Sequence, residues 1–324
     1  MEGLIRALDL PVHKVLPNGA PALRVGTGSV VSHDEAVTAL LYRWANPHTL
    51  TKVHQDLGMR PSLVSEVCSA LVDIIYDKWY VRLLATDLRH YTRDFPRFAD
   101  AIAAATDHVG YDNVVAFIDG TLRPTVRPTH NQDLLFNGHH WMHGYVYQAM
   151  TAPNGLILDL TPPAPGRRHD GFVLRKSRLL SRFQNACVAA GYAVGEYLMY
   201  ADAGYHTSNS NLVAAYKAPP GGELDDAHTH LNFVMSAVRV AVEWSFGRVV
   251  AQWAAFKLKE KQVPGLMPVG RMYAVAVILT NAHCCLHGNQ ISEKFNMVPP
   301  SLEEYFNPPQ QPGGVAQAWD PTVL

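Results

Sequence analysis

Two short, apolar, β-prone runs in this chain each end on an aspartate. Asn113 to Ile118 leads into Asp119-Gly120, and Tyr197 to Ala201 leads into Asp202. A third acid, Glu243, lies inside a long stretch of helical periodicity, RVAVEWSFGR (239–248). Carboxylates at the C-terminal ends of neighbouring strands face one crevice, the place where open α/β sheets bind ligands. Glu243 follows Val242, a member of the apolar stripe, and so sits at its margin, held by the helix yet able to reach that crevice.

The remaining pattern supports an α/β core preceded by helices. Ser32 reads as an N-cap, and Ala36, Val37, Leu40, Leu41 and Trp44 repeat at helical spacing behind it. A short helix over about 50–57, a turn at Gly58 to Pro61 and a helix over about 62–79 follow. Together these read as a helix-turn-helix unit, with Ser62, Ser65, Glu66 and Ser69 on its exposed face. Generic bundle packing would produce the same pattern. Tyr145 to Met150 and Leu156 to Leu160 flank Pro153-Asn154-Gly155, a hairpin signal. The spacing then predicts one helix over 169–190, a strand entering Asp202, and a long helix over about 224–256. Residues 1–31 are rich in Pro and Gly and read as an irregular arm. The expected organisation is this arm, a helical domain over 32–110, a catalytic α/β domain over 111–306 and a disordered tail over 307–324.

Composition narrows the function only mildly. With 324 residues, 48% of them hydrophobic, the chain can bury a large core. A net charge of −1 argues against a strongly basic nucleic-acid binder. Arg167, Arg168, Arg175, Lys176, Arg178 and Arg182, with only Asp170 opposing them, nonetheless form a local basic segment. His169 follows two of these arginines at an expected helix start, a place suited to phosphate oxygens. A solvated helix face is the plainer reading of that segment. The four cysteines show no disulfide rhythm, which fits a reducing compartment. The N-terminus is too short and charged for a signal peptide, and the apolar run near 273–279 is too short to span a bilayer.

Three converging carboxylates repel one another and so recruit cations. Two divalent ions about 3.5–4 Å apart can activate a nucleophile, steady the leaving oxygen and neutralise phosphoryl charge. Taken singly, each acid has an ordinary reading: Asp before Gly is a turn former, and a helix Glu is usually solvated. Arg239, four residues before Glu243, shares its face and can pair with it or touch substrate, whereas Arg248 projects elsewhere. His139, His140 and His143 lack a further zinc ligand at suitable spacing, so packing or a DNA-facing role is the expectation there.

Ordered blocks give these residues a context. IDGTLRP (118–124), FNGHHWMHGY (136–145), PNGLI (153–157), PGRRHD (165–170), ADAGY (201–205) and VEWSFGR (242–248) resemble, in order, the PIF/Harbinger-type DDE transposases and their domesticated relatives. ILTNAHCCLHGNQISEKF (278–295) resembles that family's C-terminal region. Leu122 and the ADAGYH stretch depart from the usual family residues, without loss of a carboxylate. The resemblance implies an RNase H-like core, a mixed five-stranded sheet flanked by helices, with the triad Asp119, Asp202 and Glu243 as both catalytic and metal-binding residues. It implies Mg²⁺ or Mn²⁺ in a two-metal site and cut-and-paste cleavage and joining at transposon terminal inverted repeats. It further implies a nuclear homodimer on DNA, with a Myb-like accessory protein as a possible partner and no membrane association. Arg167, Arg168, His169, Arg175, Lys176 and Arg239 are the candidate DNA contacts. The alternatives are a domesticated DNA-binding protein without catalysis and a metal-dependent nuclease without strand transfer.

Overall fold

The segment expected to be an irregular arm is ordered. In the computed structural model, which describes residues 1–26, 28–205 and 210–307, the chain opens with helix α1 (Glu2–Leu8). Strands β1 (Lys14–Val15), β2 (Pro21–Val25) and β3 (Ser29–Ser32) then form a small antiparallel sheet. The glycines that suggested an irregular arm supply its turns: Gly26 and Gly28 both have positive φ, a conformation that costs other residues strain. Leu23 and Val25 are buried beneath the sheet, so apolar burial outweighs the Pro/Gly composition.

Helix α2 (His33–Ala45) starts where expected. Ser32 caps it, and Glu35 completes a reciprocal capping box. Helix α3 (Leu50–Leu57) and helix α4 (Pro61–Leu83) follow, with Pro61 at the first helical position. Val64, Val67, Cys68, Leu71, Val72 and Ile75 form the buried stripe of α4, leaving Ser62 and Ser69 exposed and Ser65 and Glu66 half-buried. A 3₁₀ turn (Arg89–Asp94) and helix α5 (Phe95–Ala105) lead to the main sheet.

That sheet is built on strand β4 (Val114–Pro124), whose first five residues are all buried. After helix α6 (Gln132–Leu135) come strands β5 (Phe136–Asn137), β6 (Met142–Thr151), β7 (Ile157–Leu160) and β8 (Ala164–Pro165). Strand β6 pairs antiparallel with β4 on one side and with β5, β8 and β7 along its other edge. The expected hairpin turn is present, with Gly155 at φ 88°. Strand β9 (Leu198–Ala201) runs parallel to β4, and strand β10 (Leu212–Ala214) parallel to β9. The order across the sheet is β7-β6-β4-β9-β10: an antiparallel meander followed by two parallel strands. With β5 and β8 also on the outer edge of β6 the mixed sheet has seven strands, two more than the five expected, and it keeps the α/β organisation of an RNase H-like core.

Helices cover both faces. The region 169–190 forms two helices, not one: α7 (Asp170–Ser177) and α8 (Leu179–Ala189), broken at Arg178, which adopts a left-handed conformation at φ 53°. On the far side lie α9 (Asp226–Gln252), α10 (Val269–His287), α11 (Gln290–Lys294) and α12 (Leu302–Phe306). Phe117 of β4 stacks against Phe295, with ring centroids 5.9 Å apart. Leu122, further along β4, joins Val146, Ala164 and Val173 beneath α7. One apolar core runs from α1 through α4 into the sheet and on to α12, so the helical segment and the sheet share it. Each fully buried Leu or Phe in it contributes about 1.5–3 kcal/mol.

Helix α10 is long and apolar enough to cross a membrane by length and composition, contrary to the short run read from sequence, but 72% of its most apolar stretch is buried in this core. Arg182, counted above with the basic segment, also belongs to the interior. It donates to Asp159 on β7 at 2.5 Å and to the carbonyl of Thr86 at 2.7 Å, and the Asp159 side chain is 1% exposed.

Candidate active site

The register between β4 and β9 determines how the two aspartates meet. Ile118 pairs with Ala201 across the parallel strands, so Asp119 and Asp202 follow at the same level on adjacent chains. The five buried residues before Asp119 fix its strand in the sheet centre, and its own side chain remains only 19% exposed. Its Oδ1 accepts the backbone N–H of Gly120 at 2.8 Å. Its Oδ2 accepts Nη1 of Arg239 at 2.9 Å. Arg239 lies on α9 one turn before Glu243, and its Nη2 is 3.1 Å from Glu243 Oε1. The guanidinium thus bridges two of the three acids. Glu243 is half exposed at the helix margin, as its position in the apolar stripe predicts. Arg239 does pair with Glu243, and it reaches Asp119 as well. Asp202, just past β9, is exposed.

Burial, and secondarily neighbouring carboxylates, disfavour ionisation of the acids here. Burial pushes the Asp119 carboxyl up to about 6. Arg239 and the Gly120 N–H pull it back, while Asp170 and Glu243 push it higher. The Asp170 carboxyl is also raised, first by burial and then by the charge of Asp202, with His169 opposing. Tyr205, buried just beyond Asp202, is raised well above the usual phenol range by burial and by Asp170, Asp119 and Asp202 in turn. A fourth carboxylate, Asp170, therefore belongs to this neighbourhood. It was read from sequence only as the acid opposing a basic run. The available signal was its place in PGRRHD, an ordered block ending at a helix start.

Gly120 makes room for Asp170. A Cβ at residue 120 would lie 2.2 Å from Asp170 Oδ1, nearer than real contacts allow, and 3.5 Å from the Tyr205 hydroxyl. The donor set is hard oxygen throughout, the chemistry that Mg²⁺ and Mn²⁺ prefer. Among the described residues, no three His, Cys, Asp or Glu side chains stand close enough together to hold a metal ion as they are. Arg239, spanning Asp119 and Glu243, is the positive charge that balances them in this arrangement.

The candidate DNA contacts only partly converge. His169 caps α7, its Nδ1 accepting the Phe172 N–H at 3.3 Å. The guanidinium of Arg168 lies over the Phe172 ring at 4.2 Å, and Lys176 lies over the same ring at 5.9 Å. Arg175 turns back towards the start of α7, with Nη1 3.8 Å from where a Cβ on Gly171 would be. Arg167 pairs with Asp133 at 3.3 Å. His139 and His140 sit in the turn between β5 and β6, where Asn137 Oδ1 accepts both of their backbone N–H groups. His143 packs on Phe136, with ring centroids 5.4 Å apart.

Residues 118–281, half of the chain, match the model of the DDE superfamily endonucleases. The chain belongs to this family. The matched span of this DDE superfamily endonuclease contains Asp119, Asp170, Asp202, Arg239 and Glu243, the whole cluster just described. Among curated proteins, none matches the chain. One solved structure, a pre-cleavage Mos1 transpososome, is similar at 10% identity over 81% of this chain and 76% of that one. Its TM-score of 0.25 is too low for that likeness to bear on the fold.

Proposed function

We infer that this DDE superfamily endonuclease is a DNA transposase of the PIF/Harbinger type, cleaving and joining phosphodiester bonds with Asp119, Asp202 and Glu243. The observation that carries this reading is that Asp119 and Asp202 follow the last paired residues of the parallel strands β4 and β9, with Glu243 tied to Asp119 through Arg239. Mg²⁺ or Mn²⁺, held by these three acids, would supply nucleophile activation and neutralisation of phosphoryl charge.

The chain's own residues have distinct parts. Asp119 and Asp202 hold fixed positions because the register fixes their strands. Glu243 reaches in from a helix margin that solvent can enter. Arg239, once its carboxylates are neutralised otherwise, can turn its guanidinium to a phosphate. In the first step a water oxygen bonds to phosphorus and the P–O3′ bond breaks, the freed 3′-oxygen taking a proton. In the second, that 3′-hydroxyl attacks a target phosphodiester and displaces the target's own 3′-oxygen. Terminal inverted repeats and target DNA are the substrates, a homodimer joins paired ends, a Myb-like protein assists binding, and the nucleus is the site of action.

The bridging position of Arg239 also supports a second reading, a DNA-binding relative without catalysis. Mn²⁺-dependent nicking of supercoiled plasmid separates the two. Wild type should nick, and Asp119→Asn, Asp202→Asn and Glu243→Gln should each lose at least about a hundredfold in rate. An inactive wild type would favour the second reading, and any variant with near-normal rate would remove that residue from the mechanism.

A further inference from the structure

We propose that Asp170 is a fourth carboxylate of the cation site, a ligand to an ion shared with Asp202, and that the Tyr205 hydroxyl is its positioning partner. This rests on the reading of Asp119, Asp202 and Glu243 as a divalent-cation site.

Asp170 is brought in deliberately. Adjacent residues of a strand point to opposite faces, so Asp119 faces α9 and Gly120 faces α7. Through the gap left by the missing side chain of Gly120, Asp170 lays its carboxylate against β4 from that second face. The middle of β4 is thereby flanked by an acid on each face. Among the described residues Asp170 makes no hydrogen bond and no ion pair, although it is half-buried. The helix start explains a carboxylate at the first position of α7, where the dipole favours negative charge. It does not explain why that carboxylate is pressed against β4 beside two other acids.

Tyr205 is the second observation. It is 1% exposed, and among the described residues its hydroxyl has no hydrogen-bond partner. A buried hydroxyl without a partner costs about 1–3 kcal/mol. Its oxygen lies 3.5 Å from the point where a Gly120 Cβ would stand, the same point that Asp170 Oδ1 approaches to 2.2 Å. The hydroxyl therefore borders the same gap over Gly120 that the Asp170 carboxylate enters, with its donor uncommitted among the described residues. Arg239 pairs with Asp119 and Glu243, and among the described residues neither Asp170 nor Asp202 has an ion pair. A divalent cation would supply positive charge that the two unpaired acids lack.

Mn²⁺ binding by the full chain tests this, read by calorimetry and by electron paramagnetic resonance. Wild type should bind two ions and show a spin-coupled spectrum. Asp170→Asn should retain one ion with an isolated-ion spectrum, the second weakened at least about tenfold. Tyr205→Phe should weaken the second ion several-fold and leave the first unchanged. If Asp170→Asn does not fold, Gly120→Ala, which pushes the carboxylate away while keeping every acid, should lose the same ion. Two ions bound with wild-type affinity and coupling in Asp170→Asn, or in Gly120→Ala, would overturn the proposal for Asp170 alone, provided Asp119→Asn loses binding. An unchanged second ion in Tyr205→Phe would remove its positioning role. A wild type that binds no Mn²⁺ would overturn both this proposal and the reading beneath it.

Discussion

Arg239 on α9 donates to Oδ2 of Asp119 on β4 at 2.9 Å, tying the helix that carries one acid to the strand that carries another. The same guanidinium holds Glu243 at 3.1 Å. Arg239→Ala should therefore do two opposite things. Without metal it leaves a mostly buried carboxylate unpaired and should destabilise the fold by about 2 kcal/mol. With Mn²⁺ it removes a competing cation, so Mn²⁺ affinity should rise. Urea unfolding with EDTA and with Mn²⁺ checks both, and equal destabilisation under the two conditions would count against the competition.

The pH dependence of stability follows from Asp119. Its folded-state carboxyl is pushed up to about 6, above its ordinary 3.8, so folding favours the protonated form. The associated stability is fully present below about pH 4 and is lost as pH rises through about 6, up to about 3 kcal/mol in all. In EDTA, wild type should lose stability relative to Asp119→Asn across that window. Parallel curves for the two proteins between pH 4 and 7 would contradict the assignment.

The pair Asp159–Arg182 should matter for folding rather than for DNA. Asp159→Ala leaves Arg182 without its buried partner and should cost about 3–5 kcal/mol. Replacing both residues with leucine should recover most of that loss. Denaturant midpoints at constant slope measure the effect. A loss below about 1 kcal/mol would mean the pair is solvated in solution.

Around the first turn of α7, Arg168 and Arg175 are the arginines best placed to meet a phosphate backbone. Changing both to alanine should lower the slope of log affinity against log salt by about 1–2 on duplex DNA, whatever its sequence. Fluorescence anisotropy across a potassium chloride series reads this directly. An unaltered slope would leave α7 outside the DNA interface.

Much of this architecture was legible in local pattern. The Ser32 cap, the hairpin around Gly155 and the strand ending just before Asp202 each depend on residues close in sequence, and each appears where expected. The strand expected to end at Asp119 instead runs on to Pro124, because β6 pairs with it along that whole length. The N-terminal sheet was hidden because its turn glycines look like an irregular arm until Leu23 and Val25 find a core to enter. The break between α7 and α8 was hidden because Arg178 takes a left-handed conformation that its residue type does not announce. Asp170 was missed for a third reason. Its significance depends on the absence of a Cβ at Gly120, fifty residues earlier, a relation visible only once the sheet is assembled.

Anomalous X-ray diffraction from crystals of the protein soaked in Mn²⁺ tests the central claim most directly. The account predicts an anomalous peak within coordinating distance of both Asp119 and Asp202, with Arg239 turned away from Asp119. At saturating Mn²⁺, no peak beside Asp119 and Asp202 and an Arg239 still bridging Asp119 and Glu243 would contradict it.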